Sequence, residues 1–167
     1  TTTMAQAQDK AAAPATKPAV ITLGAGDCRF EWSYGFDRRP DGTKIGNTHG
    51  GILHDKHGHI WFNTDTEDAF MVYEPSGRFV KSFGKEFANG LHGMVLREEA
   101  GVEVVYCAHF SRHEVIKITT DGKVLMTIGW PEKSGHYSKK EEYNPTSVAV
   151  AQDGEIFVAD GYGKSWI

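Results

Sequence analysis

The sequence predicts an all-β chain of repeated four-stranded units, and three observations predict it. From residue 28 onward, short runs rich in Val, Ile, Phe and Tyr alternate with Asp/Gly/Pro/Ser turns, and no amphipathic helix of ordinary length is found. A unit recurs: residues 50–84 can be laid over 92–129, and the pattern restarts at 144–167. His49 and His92, near the starts of the first two copies, lie 43 residues apart, about the length of one blade of a β-propeller.

The elements follow in order. Residues 1–19 are rich in Ala, Thr, Gln and Pro without periodicity, so the first 27 residues read as a flexible tail. Ala5-Gln6-Ala7 has the small-x-small form of a signal-peptidase site. With the Ala/Thr-rich start it reads as the back end of a signal peptide and so as export; the basic and apolar regions that should precede it are absent, and an ordinary tail is the alternative. Residues 28–35 form a single leading strand, of the kind that closes a propeller ring by completing the last blade. Blade one spans about 49–84, with strands at 60–62, 70–73 and 78–83. Blade two spans about 91–129, with strands at 102–108, 114–118 and 123–129. Lys56-His57-Gly58, Pro75-Ser76-Gly77, Asp121-Gly122 and Asp153-Gly154 supply turns. The polar stretch 129–143 is an insertion of the type that decorates a ligand-binding face. Blade three begins at 144, with strands at 147–151 and 155–159. Two blades, part of a third and one closing strand do not close a ring, so the chain is expected to be the N-terminal part of a longer propeller.

The formal net charge is −4 with no Lys/Arg cluster, which argues against nucleic acid or anionic membrane as a partner. No apolar run is long enough to span a bilayer as a helix. Cys28 and Cys107 either form one disulfide or remain free thiols, and the sequence leaves both open.

The segments LHGMVL (91–96), RHEVIKI (112–118), NPTSVAV (144–150) and FVADGYGKS (157–165) resemble the propeller of peptidyl-α-hydroxyglycine α-amidating lyases. With THGG (48–51), they also resemble a bacterial group of NHL-repeat proteins. The resemblance implies a six-bladed NHL-type propeller, about half of which lies in this chain. It implies an axial zinc held by three histidines, one of them His92, the others in later blades; three ligands leave a fourth position open. It implies a structural calcium held partly by the Met94 carbonyl, with Ile52 the corresponding carbonyl in blade one. It also implies a catalytic tyrosine at Tyr162, within Asp160-Gly161-Tyr162-Gly163, able to act as a general base towards a hydroxyl. The alternative is that Asp-Gly-Tyr is simply a packed turn. Two departures stand out. The family's bridging cysteines fall on Gly163 and Tyr143, so that disulfide is missing. The arginine that binds the substrate carboxylate falls near Asp65, whose charge has the wrong sign.

His49 stands one residue out of phase with His92 and reaches the channel only through a bulge at Gly50-Gly51. His109, at the end of a strand, either enlarges a metal site with His49 and His92 or lines the channel as part of a hydrogen-bonded set. His54, His57 and His59 surround a turn and are expected to be solvated, while His113 is expected to be structural. Asp65, Glu67 and Asp68 form an acidic loop that either binds a cation or basic ligand or is a solvated charge run. Trp61, Trp130 and Trp166 are expected to pack between blades. Two functions follow: a metal-assisted lyase or hydrolase acting on a small-molecule or peptide substrate, or a non-catalytic propeller binding a protein, peptide or glycan through its loop face.

Overall fold

The computed structural model describes residues 20–32, 35–36 and 38–167. The Ala5-Gln6-Ala7 triad and the tail expected through residue 19 lie outside the described residues. The chain divides into two compact units, 1–35 and 36–167.

In the first unit, strands β1 (Ile21–Ala25) and β2 (Cys28–Trp32) form an antiparallel hairpin in which Ala25 opposes Cys28. The two-residue Gly26-Asp27 turn joins them, with Gly26 at φ 57°, a conformation that glycine adopts without steric cost. The flexible tail expected through residue 27 therefore stops short of β1, and the lone strand expected at 28–35 is one arm of a hairpin. Ile21-Thr22-Leu23 has strand propensity, and the Gly-Asp pair after it is the hairpin signal that the reading passed over.

In the second unit, β3 (Ile52–His54), β4 (Ile60–Asn63), β5 (Phe70–Tyr73) and β6 (Phe79–Phe83) form one four-stranded antiparallel sheet in sequence order. A second sheet has the same plan: β7 (Leu91–Glu99), β8 (Val102–His109), β9 (Glu114–Thr119) and β10 (Val124–Ile128). A third, two-stranded sheet pairs β11 (Ser147–Val150) with β12 (Ile156–Ala159). The strand runs read from the sequence match these elements to within about one residue at each end. The 129–143 insertion holds two single 3₁₀ turns, Glu132–Ser134 and Lys140–Glu142.

Strand periodicity decides how the sheets stack. Along β8, Val105 and Cys107 pack with Phe70 and Leu53 of the first sheet, while Val104 and Tyr106 pack with Val148 and Val158 of the third. Successive side chains point to opposite faces, so one strand serves two interfaces. This is why β8 reads as a continuous apolar run: it is covered on both sides. The β5 run FMVY is buried throughout for the same reason, with Phe70 turned to the second sheet and Met71 and Tyr73 turned to Phe36 and Ile45. Each fully buried aromatic or aliphatic side chain contributes on the order of 1.5–3 kcal/mol. Trp61 is buried edge-on to Phe83, 5.7 Å between centroids, with its indole N–H donating to Asp55 at 3.1 Å. The first strands of the three sheets lie side by side, β7 touching β3 on one flank and β11 on the other.

Cys28 and Cys107 are free thiols in this structure. Burial pushes the Cys107 thiol up to about 12, so it behaves as a small apolar core residue.

Candidate functional site

The β7 strand starts with an irregularity. Leu91 opposes His109 and Met94 opposes Cys107, so three steps on β7 match two on β8, and His92-Gly93 carries the extra residue. Gly93 uses the distortion to donate its N–H to the Thr146 carbonyl, 2.8 Å away, on the segment leading into β11. The sequence reading placed the needed bulge at Gly50-Gly51; the irregular pairing falls at His92-Gly93, and β3 pairs regularly with β4. Gly51 has a different reason to be glycine. A Cβ there would lie 2.6 Å from the His92 carbonyl oxygen and 2.7 Å from the Met94 side chain. The close approach of β3 to β7 therefore depends on a missing side chain.

The bulge turns His92 towards the turn after β12. His92 Nε2 lies 3.1 Å from the Tyr162 hydroxyl, 70 residues away in sequence, and the two rings meet edge to face with centroids 5.2 Å apart. His49 lies against His92, with ring centroids 5.6 Å apart. Phe110, just past β8, closes the group, 6.4 Å from the His49 ring and 5.8 Å from that of Tyr162. His92 is half-buried, and Tyr162 is 60% exposed. Desolvation lowers the His92 pKa, the Thr146 carbonyl opposes that shift, and the neighbouring His49 adds to it. A neutral imidazole results, and its unprotonated nitrogen can accept the tyrosine proton or bind a metal, but not both at once.

Two residues of this neighbourhood were not singled out from the sequence. Asn63 is fully buried at the end of β4 and donates its side-chain N–H to the His92 carbonyl, pinning the bulge from the neighbouring sheet. Its Oδ1 is buried without a partner. Phe110 carries no motif; its place is set only by the strand that precedes it.

The remaining candidates separate. Ile52 and Met94 stand on the adjacent strands β3 and β7, with the Ile52 side chain exposed. His109 is fully buried and is not brought into a metal site with His49 and His92. Among the described residues, no group of three or more His, Cys, Asp or Glu side chains is placed to hold a metal ion. The His109 Nδ1 instead accepts the Arg112 N–H at 3.3 Å, its ring meets Phe87 edge-on, and its Nε2 is buried without a hydrogen bond. Burial, with Arg112 nearby, depresses its pKa to about 4.

The acidic loop is neither an open cation site nor a solvated run. Asp65 accepts from the Asn47 backbone and side-chain N–H groups at 2.9 and 2.7 Å, and these bonds lower its pKa. Asp68 pairs with Arg39 and accepts from Ser82 at 2.7 Å, and Glu67 pairs with Lys85 at 3.0 Å. Of the turn histidines, His59 is not simply solvated, since its Nδ1 bonds to buried Asp55 at 2.9 Å. His113, at φ 59°, holds the Tyr143 carbonyl at 2.6 Å, a structural role. Trp166 is 47% exposed and lies on His136 instead of packing between sheets.

No protein-family model matches the chain. Its sequence is 34% identical over 100 residues to peptidyl-alpha-hydroxyglycine alpha-amidating lyase 1 of Drosophila melanogaster. That match takes in 58% of this chain and 18% of the relative, so the chain spans less than a fifth of the curated protein it matches. The structure is similar to a streptogramin B lyase, with TM-score 0.51 and 14% identity, over 70% of this chain and 35% of that one. It is also similar to a catalytically inactive virginiamycin B lyase from Staphylococcus aureus solved with quinupristin, with TM-score 0.50 and 13% identity, over 70% of this chain and 36% of that one. The architecture is propeller-like. At these identities the solved structures bear on fold alone. Among the described residues, no helix is long and apolar enough to cross a membrane.

Proposed function

We propose that this chain contributes two blades and part of a third to an exported six-bladed NHL-type propeller acting as a metal-assisted lyase or hydrolase. The proposed substrate is a small hydroxylated or peptide-derived molecule. The observation that carries the reading is the 3.1 Å contact between His92 and Tyr162, residues matching the lyase motifs and brought together from β7 and the turn after β12. The sequence likeness to an amidating lyase supports the same chemistry.

His92 fits as one zinc ligand: it is neutral, half-buried and held from behind by Asn63 through its own backbone carbonyl. The carbonyls of Ile52 and Met94, on adjacent strands, are the proposed ligands of a structural calcium. When bound, zinc supplies a Lewis acid that polarises a substrate oxygen. Tyr162 sits on the open side of the group, where its hydroxyl can take or return the proton of a substrate hydroxyl. Without metal, the hydrogen bond to His92 sets the direction of that hydroxyl; zinc on the same ring nitrogen would take its place and leave the hydroxyl to the substrate, with Phe110 packed edge to face on the tyrosine ring.

The test is turnover of peptidyl-α-hydroxyglycine substrates by the full-length protein. Chelator-sensitive release of the amide is expected, with at least a hundredfold loss in Tyr162→Phe, the scale of a lost general acid–base. Chelator-insensitive or absent turnover sinks the assignment. A second reading, a non-catalytic propeller binding a protein, peptide or glycan, is favoured by one observation: Asp65, where the lyases place a substrate-binding arginine, is committed to Asn47. Capture of a defined partner unaffected by chelator is the outcome that reading expects.

A further inference from the structure

The insertion at 129–143 is polar and mostly exposed, yet it is fastened to the turn carrying Tyr162. Tyr137, buried to 7% exposure, donates its hydroxyl to Asp160 Oδ2 at 2.9 Å. Asp160 is itself buried, and its carboxylate also accepts the backbone N–H groups of Asn144 and Lys164, each at 2.6 Å. Glu142 pairs with Lys164 Nζ at 2.6 Å, and the His136 ring lies 4.3 Å from that of Trp166. The Tyr162 N–H donates to the carbonyl of Asn144, immediately after the insertion, at 3.3 Å. Gly163 records how tight this packing is: a Cβ there would overlap the Asp160 carboxylate.

We propose that the insertion is a brace in which Tyr137, acting through Asp160, positions the Tyr162 hydroxyl against His92. The inference rests on the reading of His92 and Tyr162 as the working pair. Tyr162 is mostly exposed, and its ring contacts among the described residues are His92 and Phe110, so its aim depends on the backbone of its turn. That backbone is held by Asp160. Two of the three hydrogen bonds to the Asp160 carboxylate come from backbone N–H groups, and the third comes from the insertion. An O–H donated to a carboxylate is among the stronger hydrogen bonds. Burial, reinforced by Asp160, pushes the Tyr137 phenol upward, which keeps it a protonated donor at neutral pH. Glu142 adds a second fastening; the Lys164 and Ser138 hydrogen bonds hold its carboxyl down at about 2.

The decisive readout is the pair of His92 ring-nitrogen NMR shifts in the metal-free full-length protein at fixed pH. Tyr162→Phe defines the shift produced by losing the His92–Tyr162 hydrogen bond. Tyr137→Phe is expected to reproduce most of that shift while the His109 signals stay in place. Glu142→Gln, at a more exposed pair, is expected to give a smaller shift in the same direction. His92 signals unmoved in both variants overturn the brace, and if Tyr137→Phe fails to fold, unmoved signals in Glu142→Gln do so alone. Turnover separates the two proposals. Full activity in Tyr162→Phe defeats the functional reading and leaves the brace intact. Activity lost in Tyr162→Phe with His92 unmoved in Tyr137→Phe has the reverse meaning.

Discussion

His92 and His109 stand at the same end of one strand pair, on β7 and β8, yet chemically they are opposites. His92 is half-open, shares its ring nitrogen with a tyrosine hydroxyl and lies beside a second histidine. His109 is sealed, with one nitrogen capping the backbone at Arg112 and the other unpartnered in the core. One extra residue in β7 makes the difference: the bulge at His92-Gly93 lifts His92 out of the regular pleat, while Leu91 stays paired with His109. A histidine in a repeat becomes a functional candidate when the backbone turns it out of the core, and neighbours of the same type are not enough.

The largest effect that sharpens this contrast is on stability. His109→Ala removes a fully buried side chain and the cap on Arg112 and is expected to cost about 2–4 kcal/mol, the range for large-to-small core changes. His92→Ala, at a half-open position, is expected to cost well under half as much, as measured by denaturant unfolding. Equal costs would erase the distinction. The same contrast has a pH signature. The folded-state pKa of His109 is about 4, below its ordinary value of 6.5, so the unfolded chain binds more protons in that window. Stability from the neutral form is therefore complete above about pH 6.5 and lost as pH falls towards 4, by up to about 3 kcal/mol. In His109→Ala that part of the acid-side loss disappears, and unfolding curves at a series of pH values read it directly. The smallest effect belongs to the acidic loop: Glu67→Gln breaks an ion pair exposed on both sides and is expected to change stability by under about 0.5 kcal/mol. A larger change would mean that the loop carries more of the first sheet than its contacts show.

The strands were legible because their period is local. FMVY and VEVVYCA are apolar on both faces, and the turns between strands carry Asp, Gly or Pro. His92 and Tyr162 were legible through their motifs. Their contact was not, since it depends on a bulge whose sequence, His-Gly, has no unique signature. The site's support is the least legible part. Asn63 reads as the last residue of a strand, Phe110 as the first residue of a turn, and Tyr137 as one aromatic in a polar loop. Each acquires its role from residues 29, 52 or 23 positions away, which no local pattern records. The β1–β2 hairpin was missed for the opposite reason, because a compositional reading of the tail ran past a local turn signal.

The most direct test of the account is the zinc content of the dialysed full-length protein, compared between the parent and His92→Ala. About one zinc per chain in the parent and none in the variant, with His109→Ala retaining its metal, is the predicted result. Zinc absent from the parent, or retained without His92, would contradict the assignment of His92 as a ligand and leave the His92–Tyr162 pair as channel lining.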